Sequence, residues 1–177
     1  MRLSAAAEGV PGSSSDVLRD AAAGVRASVR TLRSAIVGVY PPNLRMVGLT
    51  AALSDLVAGT ELRGLRTSLE VDPDVEGLDE DVDALIFRGA QEALRNAEVH
   101  AQASRVGVTV HRNADRVVLT VADDGEGIAE DRIADAREEG HVGLTILTDL
   151  ARTAGGDLRV ARGEGRGTVV TMEVPRR

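Results

Sequence analysis

The sequence predicts an α+β fold: a two-layer α/β sandwich preceded by a long N-terminal helical segment. Three observations carry this expectation. Helical and strand-like patterns fall in separate blocks, with helices on one face of a sheet as the packing solution. The strand-like stretches come in pairs joined by short turns, the pattern of hairpins. The chain has 177 residues, and a compact chain near that size buries about 70% of its unfolded surface, enough for a sizeable core.

Residues 1–15 are small, polar and rich in Gly, Pro and Ser, and are expected to be flexible. Residues 16–62 form the expected helical segment. Asp16 stands where an N-cap belongs, and Leu18, Ala22, Val25, Val29, Leu32, Ile36 and Val39 follow at alternating steps of four and three. That spacing is a coiled-coil seam, which calls for a partner helix. Pro41 and Pro42 interrupt it, since neither donates a backbone hydrogen bond and each clashes with the preceding turn. A helical pattern resumes over 44–62 with Leu49, Leu53, Leu56 and Val57 on one side. Residues 68–72 alternate like a strand, and Asp72-Pro73-Asp74 reads as a turn.

The second expected domain covers 66–177. Within it, 79–100 is a long helical pattern. Residues 104–112 and 116–122 are strands around the short turn Asn113-Ala114-Asp115. A glycine-rich acidic stretch follows Asp123, then a helix over 142–154 that Gly155-Gly156 stops, then strands at 157–162 and 168–174.

Composition excludes several functions. All 21 basic residues are arginine, so a G-x-x-x-x-G-K-[ST] phosphate loop and Schiff-base chemistry are out. Cysteine is absent, which removes disulfides, thiolate metal sites and thiol nucleophiles. Tyr40 and Phe87 are the only aromatics, so a base-stacking platform is not expected. The net charge of −7 argues against nucleic acid or an anionic membrane as a partner. No apolar run approaches the roughly 20 residues of a membrane span, and the first residues lack the apolar core of a signal peptide. The expected location is cytoplasmic.

Four short motifs could carry chemistry. Glu92, Asn96 and His100 recur every four residues on the predicted 79–100 helix, within an arc of roughly 80° at about 100° per residue. The apolar stripe of Ile86, Ala90, Ala93, Leu94, Ala97 and Ala101 lies beside them. An amide oxygen is a hard, neutral ligand suited to Mg²⁺, although the same triplet also fits a solvated helix flank. Asp123-Asp124-Gly125-Glu126-Gly127 directly follows a strand. A carboxylate there can accept from an exocyclic amine, and the glycines let backbone approach a flat ligand. An ordinary acidic turn fits as well, whereas the calcium-loop spacing fails. Gly140-His141-Val142-Gly143-Leu144 opens a helix, where free backbone N–H groups favour phosphate, or where a flexible loop simply ends. Acidic residues 128–139 before it read as a short lid. Gly165-Arg166-Gly167-Thr168 precedes the last strand, and a hairpin turn also accounts for it.

The ordered set says more than any member. It resembles the ATP-binding catalytic domain of bacterial sensor histidine kinases, of the GHKL (Bergerat) ATPase superfamily, closely over about 78–175. Residues 30–56 add a likeness to the second helix of the dimerisation and phosphotransfer domain in the short-lid subclass. Its L-x-P-P-x-L-x-x-x-G-L pattern stands here as Val39-Tyr40-Pro41-Pro42-Asn43-Leu44 with Gly48-Leu49. The regulators of that subclass resemble nitrate-response regulators. The resemblance implies ATP and Mg²⁺ as cofactors, with Asn96 as the metal ligand and His100 on the phosphate side. Glu92 matches the acidic residue that orients water or a proton acceptor in the superfamily. Asp123 would accept the adenine amino group, and Gly125 and Gly127 would shape the pocket under the base. Gly140 and Gly143, with Leu144 behind them, would hinge the lid and help hold phosphates. Gly165, Gly167 and Thr168 would close the adenine end, Thr168 through a water.

The chain departs from the family pattern twice. Val99 stands where Lys or Arg often precedes the His100 position. The histidines His100, His111 and His141 all lie in the ATP-binding region, and no His-Asp or His-Glu pair exists, so the phosphate-accepting histidine lies outside this sequence. The expectation is a kinase catalytic fragment with a partial dimerisation domain. Its parent would be a homodimer, compatible with a membrane anchor, that phosphorylates a histidine and then a response regulator. Two rivals are an anti-sigma-type serine kinase of the same fold and a non-catalytic dimerisation module built on the 18–39 seam.

Overall fold

The computed structural model describes residues 42–127 and 142–176. The expected flexible start, the 18–39 seam and the 128–139 lid lie outside the described residues. The elements, in chain order, are α1 (Pro42–Glu61), β1 (Arg66–Val71), a 3₁₀ turn (Pro73–Val75), α2 (Glu80–His100), β2 (Arg105–Asn113), β3 (Arg116–Asp123), α3 (Val142–Thr153), β4 (Asp157–Arg162) and β5 (Thr168–Pro175).

The sheet runs β1-β2-β3-β5-β4. Three of its four pairings are antiparallel, as the hairpin signals predict, while β1 pairs with β2 in parallel. The sheet is therefore mixed. A parallel neighbour needs a crossover connection of a dozen or more residues, and α2 supplies it. Local alternation reports that a segment is a strand but not the direction of its partner.

Alternation builds the core. Val106, Val108 and Val110 on β2, Val117, Leu119 and Val121 on β3, and Val170, Met172 and Val174 on β5 are all buried, and register sets Val108 opposite Val121 and Val121 opposite Val170. These residues share one cluster with Ile86, Ala90, Ala93, Leu94 and Ala97 of α2 and with Leu144, Leu147 and Ala151 of α3. Two layers follow, helices on one face of the sheet. Asp79 caps α2, its Oδ1 accepting from Asp81 N at 3.1 Å, and Glu80, Asp81 and Asp83 fill the first turn, where the helix dipole favours negative charge.

Helix α1 packs on α2 and β1. Leu44, Leu49, Ala52, Leu53 and Val57 belong to the same core as the sheet. Ion pairs join α1 to α2 near both ends, Arg45 to Glu80 at 2.6 Å and Arg63 to Glu98 at 2.5 Å. Gly48 breaks α1 with φ 82° and ψ 170°, a region open essentially to glycine alone. The kink turns Leu44 and Leu49, on opposite sides of it, into the core together.

Candidate functional site

Strand parity places Asp123 and Thr168. Asp123 follows Val117, Leu119 and Val121 on β3, and Thr168 precedes Val170, Met172 and Val174 on β5, so both occupy the helix-covered face at one end of the sheet. The two meet there. Asp123 Oδ1 accepts from Thr168 N at 3.2 Å and from Gly125 N at 2.9 Å. Asp123 Oδ2 has no hydrogen-bond partner among the described residues, which leaves an acceptor for a ligand amine. Thr168 is buried.

The glycines are positions of close approach. A Cβ at Gly167 would collide with the Asp123 carbonyl oxygen, and one at Gly127 would stand 2.8 Å from the Gly167 carbonyl oxygen. Both have positive φ, 84° and 78°. Gly165, also at positive φ, makes the β4–β5 turn and has open space around it. A Cβ at Gly125 would run into the Ala101 backbone, just past α2. The D-x-G-x-G and G-x-G-T motifs therefore interlock, and the first abuts the end of α2.

Glu92 and Asn96 are half-buried on the flank of α2 beside Ala93 and Ala97. Asn96 Nδ2 is buried with no hydrogen-bond partner among the described residues. An orphaned buried amide costs about 1–3 kcal/mol unless a ligand or water satisfies it. Its chemistry fits a magnesium–phosphate ligand, Oδ1 for the metal and Nδ2 for a phosphate oxygen or metal-bound water. Among the described residues no group of three or more His, Cys, Asp or Glu could hold a metal.

The Glu92 carboxylate lies against Gly143, in the first turn of α3, where a Cβ would collide with Oε1. Its other oxygen is 3.8 Å from Arg95 Nη1. The G-x-x-G-L motif thus meets the E-x-x-x-N motif directly. Leu144 is buried in the core in the first turn of α3. Val99 is 60% exposed. His100 ends α2, with its side chain outside the described residues, and Gly140 is outside them altogether.

Sequence reasoning missed Asp124, passed over as part of an acidic turn. Its carboxylate accepts from Ser104 N and Oγ, both at 2.7 Å, and from Arg105 N at 2.8 Å. The Ser104 hydroxyl first, then the Arg105 and Ser104 backbone N–H groups, hold it well below the usual carboxylate range. A groove of about 320 Å³ on the opposite face of the sheet reaches Asp124 and is lined by Arg66, Ser68, Arg105, Gly107 and Ala122.

Residues 81–177 match the family model described as histidine kinase-, DNA gyrase B- and HSP90-like ATPase. The chain belongs to that family. The GHKL ATPase fold expected from the ordered motifs is the fold observed, and an ATPase domain implies ATP binding. The chain is 34% identical over 156 residues to the sensor histidine kinase NarS of Mycobacterium tuberculosis, covering 88% of the chain and 36% of NarS. It is 46% identical over 83 residues to the nitrate/nitrite sensor protein NarX of Escherichia coli, 47% of the chain and 13% of NarX. Among solved structures, the blue-light activated histidine kinase of Erythrobacter litoralis aligns with a TM-score of 0.61 and 26% identity, over 76% of this chain and 43% of that one. The chain thus spans about a third of NarS and a smaller share of NarX. No helix among the described residues is long and apolar enough to cross a membrane.

Proposed function

We propose that this ATPase domain is the catalytic module of a sensor histidine kinase, binding Mg-ATP between the end of the sheet and the flank of α2. The observation that carries the reading is the pairing of an open acceptor on Asp123 with an orphaned amide on Asn96. Asp123 Oδ2 takes the adenine amino group while Oδ1 stays fixed by Gly125 and Thr168. Gly125, Gly127, Gly165 and Gly167 keep the base end free of side chains, and the Thr168 hydroxyl reaches the base through a water. Asn96 holds the metal, His100 stands on the phosphate side, and Gly140 and Gly143 flank the lid. Bound Mg²⁺ neutralises charge developing on the transferred phosphoryl group. Glu92 orients the phosphoryl acceptor or acts through the lid hinge at Gly143. With Val99 in place of a cation, Arg95, one turn earlier on α2 and 3.8 Å from Glu92, is a guanidinium close to this helix flank that a phosphate could meet.

The γ-phosphoryl group passes to a histidine outside these residues and then to an aspartate of a response regulator. The parent works as a homodimer through the 16–62 segment, whose last helix, α1, packs into the core of the ATP-binding domain that follows from about 66. A cytoplasmic site of action and a membrane-anchored parent are compatible with this reading. Sensor-kinase relatives support it over a serine kinase of the same fold or a scaffold module.

The test is calorimetric titration with ATP in the presence of Mg²⁺. Asn96→Ala and Asp123→Ala should each weaken binding at least tenfold. Parent-like affinity in both variants would remove the assignment.

A further inference from the structure

We infer that Asp124 is a positioning residue that sets the span between the base end and the phosphate end of the nucleotide cleft. The inference rests on the reading of that cleft given above. Asp124 has the opposite strand parity from Asp123, so its carboxylate leaves the cleft and faces the α2–β2 connection. Four contacts converge on it there. Oδ1 accepts from Ser104 N at 2.7 Å and Arg105 N at 2.8 Å, and Oδ2 accepts from Ser104 Oγ at 2.7 Å, with Arg105 Nε at 3.5 Å. The backbone bonds back across the same gap, Asp124 N to the Arg105 carbonyl at 3.2 Å and Glu126 N to the Ala101 carbonyl at 2.8 Å. Arg66 N donates to the Ser104 carbonyl at 3.2 Å, which ties β1 into the knot.

The stitched connection is the one that fixes α2. Ala101 follows directly on the helix that carries Asn96, and Gln102 beside it adopts φ 47°. A non-glycine residue in the left-handed region persists where its surroundings over-determine it. Asp124 and the Ala101–Glu126 bond supply that constraint. One residue before Asp124 stands Asp123, the adenine acceptor; five residues before Ala101 stands Asn96, the metal ligand. The clamp therefore ties the strand end that carries Asp123 to the connection that leaves the helix of Asn96. Hydrogen bonds to an ionised acceptor are roughly twice as strong as neutral ones, and Asp124 keeps its charge at working pH because those same donors favour the carboxylate.

A ligand that touches both ends gains from a fixed span, whereas one that touches only the base end does not. The experiment compares Mg-ATP and adenosine on the same protein by calorimetry and NMR titration, with circular dichroism and thermal unfolding as controls for folding. Asp124→Ala should lose at least about tenfold in Mg-ATP affinity and less than about threefold in adenosine affinity. Asp124→Asn, which keeps an oxygen for both backbone N–H groups, should restore Mg-ATP binding to within about threefold of the parent. Folded Asp124→Ala that binds Mg-ATP within twofold of the parent, or that loses both ligands equally, overturns the inference and leaves the cleft reading intact. Should Asp124→Ala fail to fold, Ser104→Ala carries the same comparison: a selective loss of Mg-ATP of about threefold supports the clamp, and an unchanged ratio overturns it. A parent that binds neither ligand overturns the cleft reading and this inference with it.

Discussion

Replacing Asp123 by Asn separates what its two oxygens do. Oδ1 holds Gly125 N and Thr168 N at 2.9 and 3.2 Å, and an asparagine oxygen can accept both. Losing charge assistance on two part-exposed hydrogen bonds costs about 1 kcal/mol in all, so the variant should fold, with Tm lowered by a few degrees. At Oδ2 the change is of another kind. The amide –NH₂ turns a donor toward the adenine amine, itself a donor, so a favourable bond becomes an unsatisfied pair. Losing that bond and leaving two buried donors unpaired together cost about 2–4 kcal/mol. At 1.4 kcal/mol per factor of ten, ATP affinity falls by about 30- to 1000-fold. Guanine presents a carbonyl where adenine presents its amine, so the GTP-to-ATP affinity ratio should rise. The assay is calorimetric titration of parent and variant with Mg-ATP and Mg-GTP, beside thermal unfolding. A folded Asp123→Asn that binds ATP within threefold of the parent, with the nucleotide preference unmoved, refutes the role given to this carboxylate.

Three further predictions follow from the packing. Asp83 is half-buried, with one buried oxygen unpartnered among the described residues. Burial first, and then Asp79, Glu76 and Glu80, raise its pKa from 3.8 to about 6. The folded state binds this proton more tightly than the unfolded state, so its contribution to stability falls as pH rises from about 4 to 6 and stays low above that. Asp83→Asn should stabilise the protein at pH 8 by about 1 kcal/mol, the full shift being discounted for solvent access. Denaturant unfolding should show the gain vanishing below about pH 4; an equal gain at both pH values would exclude this ionisation as its source. Gly48→Ala forces a side chain into φ 82°, ψ 170° with open space around it. The cost is backbone strain of about 1–3 kcal/mol, read from the urea midpoint, and no shift there would contradict the kink. Gly125→Ala meets the fixed backbone of Ala101, whereas Gly143→Ala meets the movable tip of Glu92. The first should cost about 3 kcal/mol or more and the second less than about 1, by thermal unfolding, and the reverse order would refute the packing described.

Much of the fold and of the candidate site is legible in the sequence, for reasons that are local. Alternation along β3 and β5 marks the buried face, and continuing the parity carries it to Asp123 and Thr168. The four-residue spacing of Glu92 and Asn96 puts both on one flank of α2, next to the alanine stripe that packs on the sheet. Long-range relations are less legible. The parallel pairing of β1 with β2 depends on which edge the crossover helix leaves open, and no residue in either strand states it. The collision course between Gly143 and Glu92 joins motifs far apart in the chain. Asp124 shows a different limit: inside an Asp-Asp-Gly run its pattern is that of any acidic turn, and only the Ser104 and Arg105 donors reveal its work. Gly48 sits in a helical pattern as an ordinary weak spot, while its conformation makes it the point where α1 bends into the core.

The most direct measurement is a crystal structure of the domain with Mg²⁺ and a non-hydrolysable ATP analogue. The account predicts the adenine amine about 2.7–3.2 Å from Asp123 Oδ2 and Asn96 Oδ1 about 2.0–2.1 Å from the metal. A nucleotide seated elsewhere, or one bound with Asn96 turned from the metal and Asp123 from the base, would contradict it.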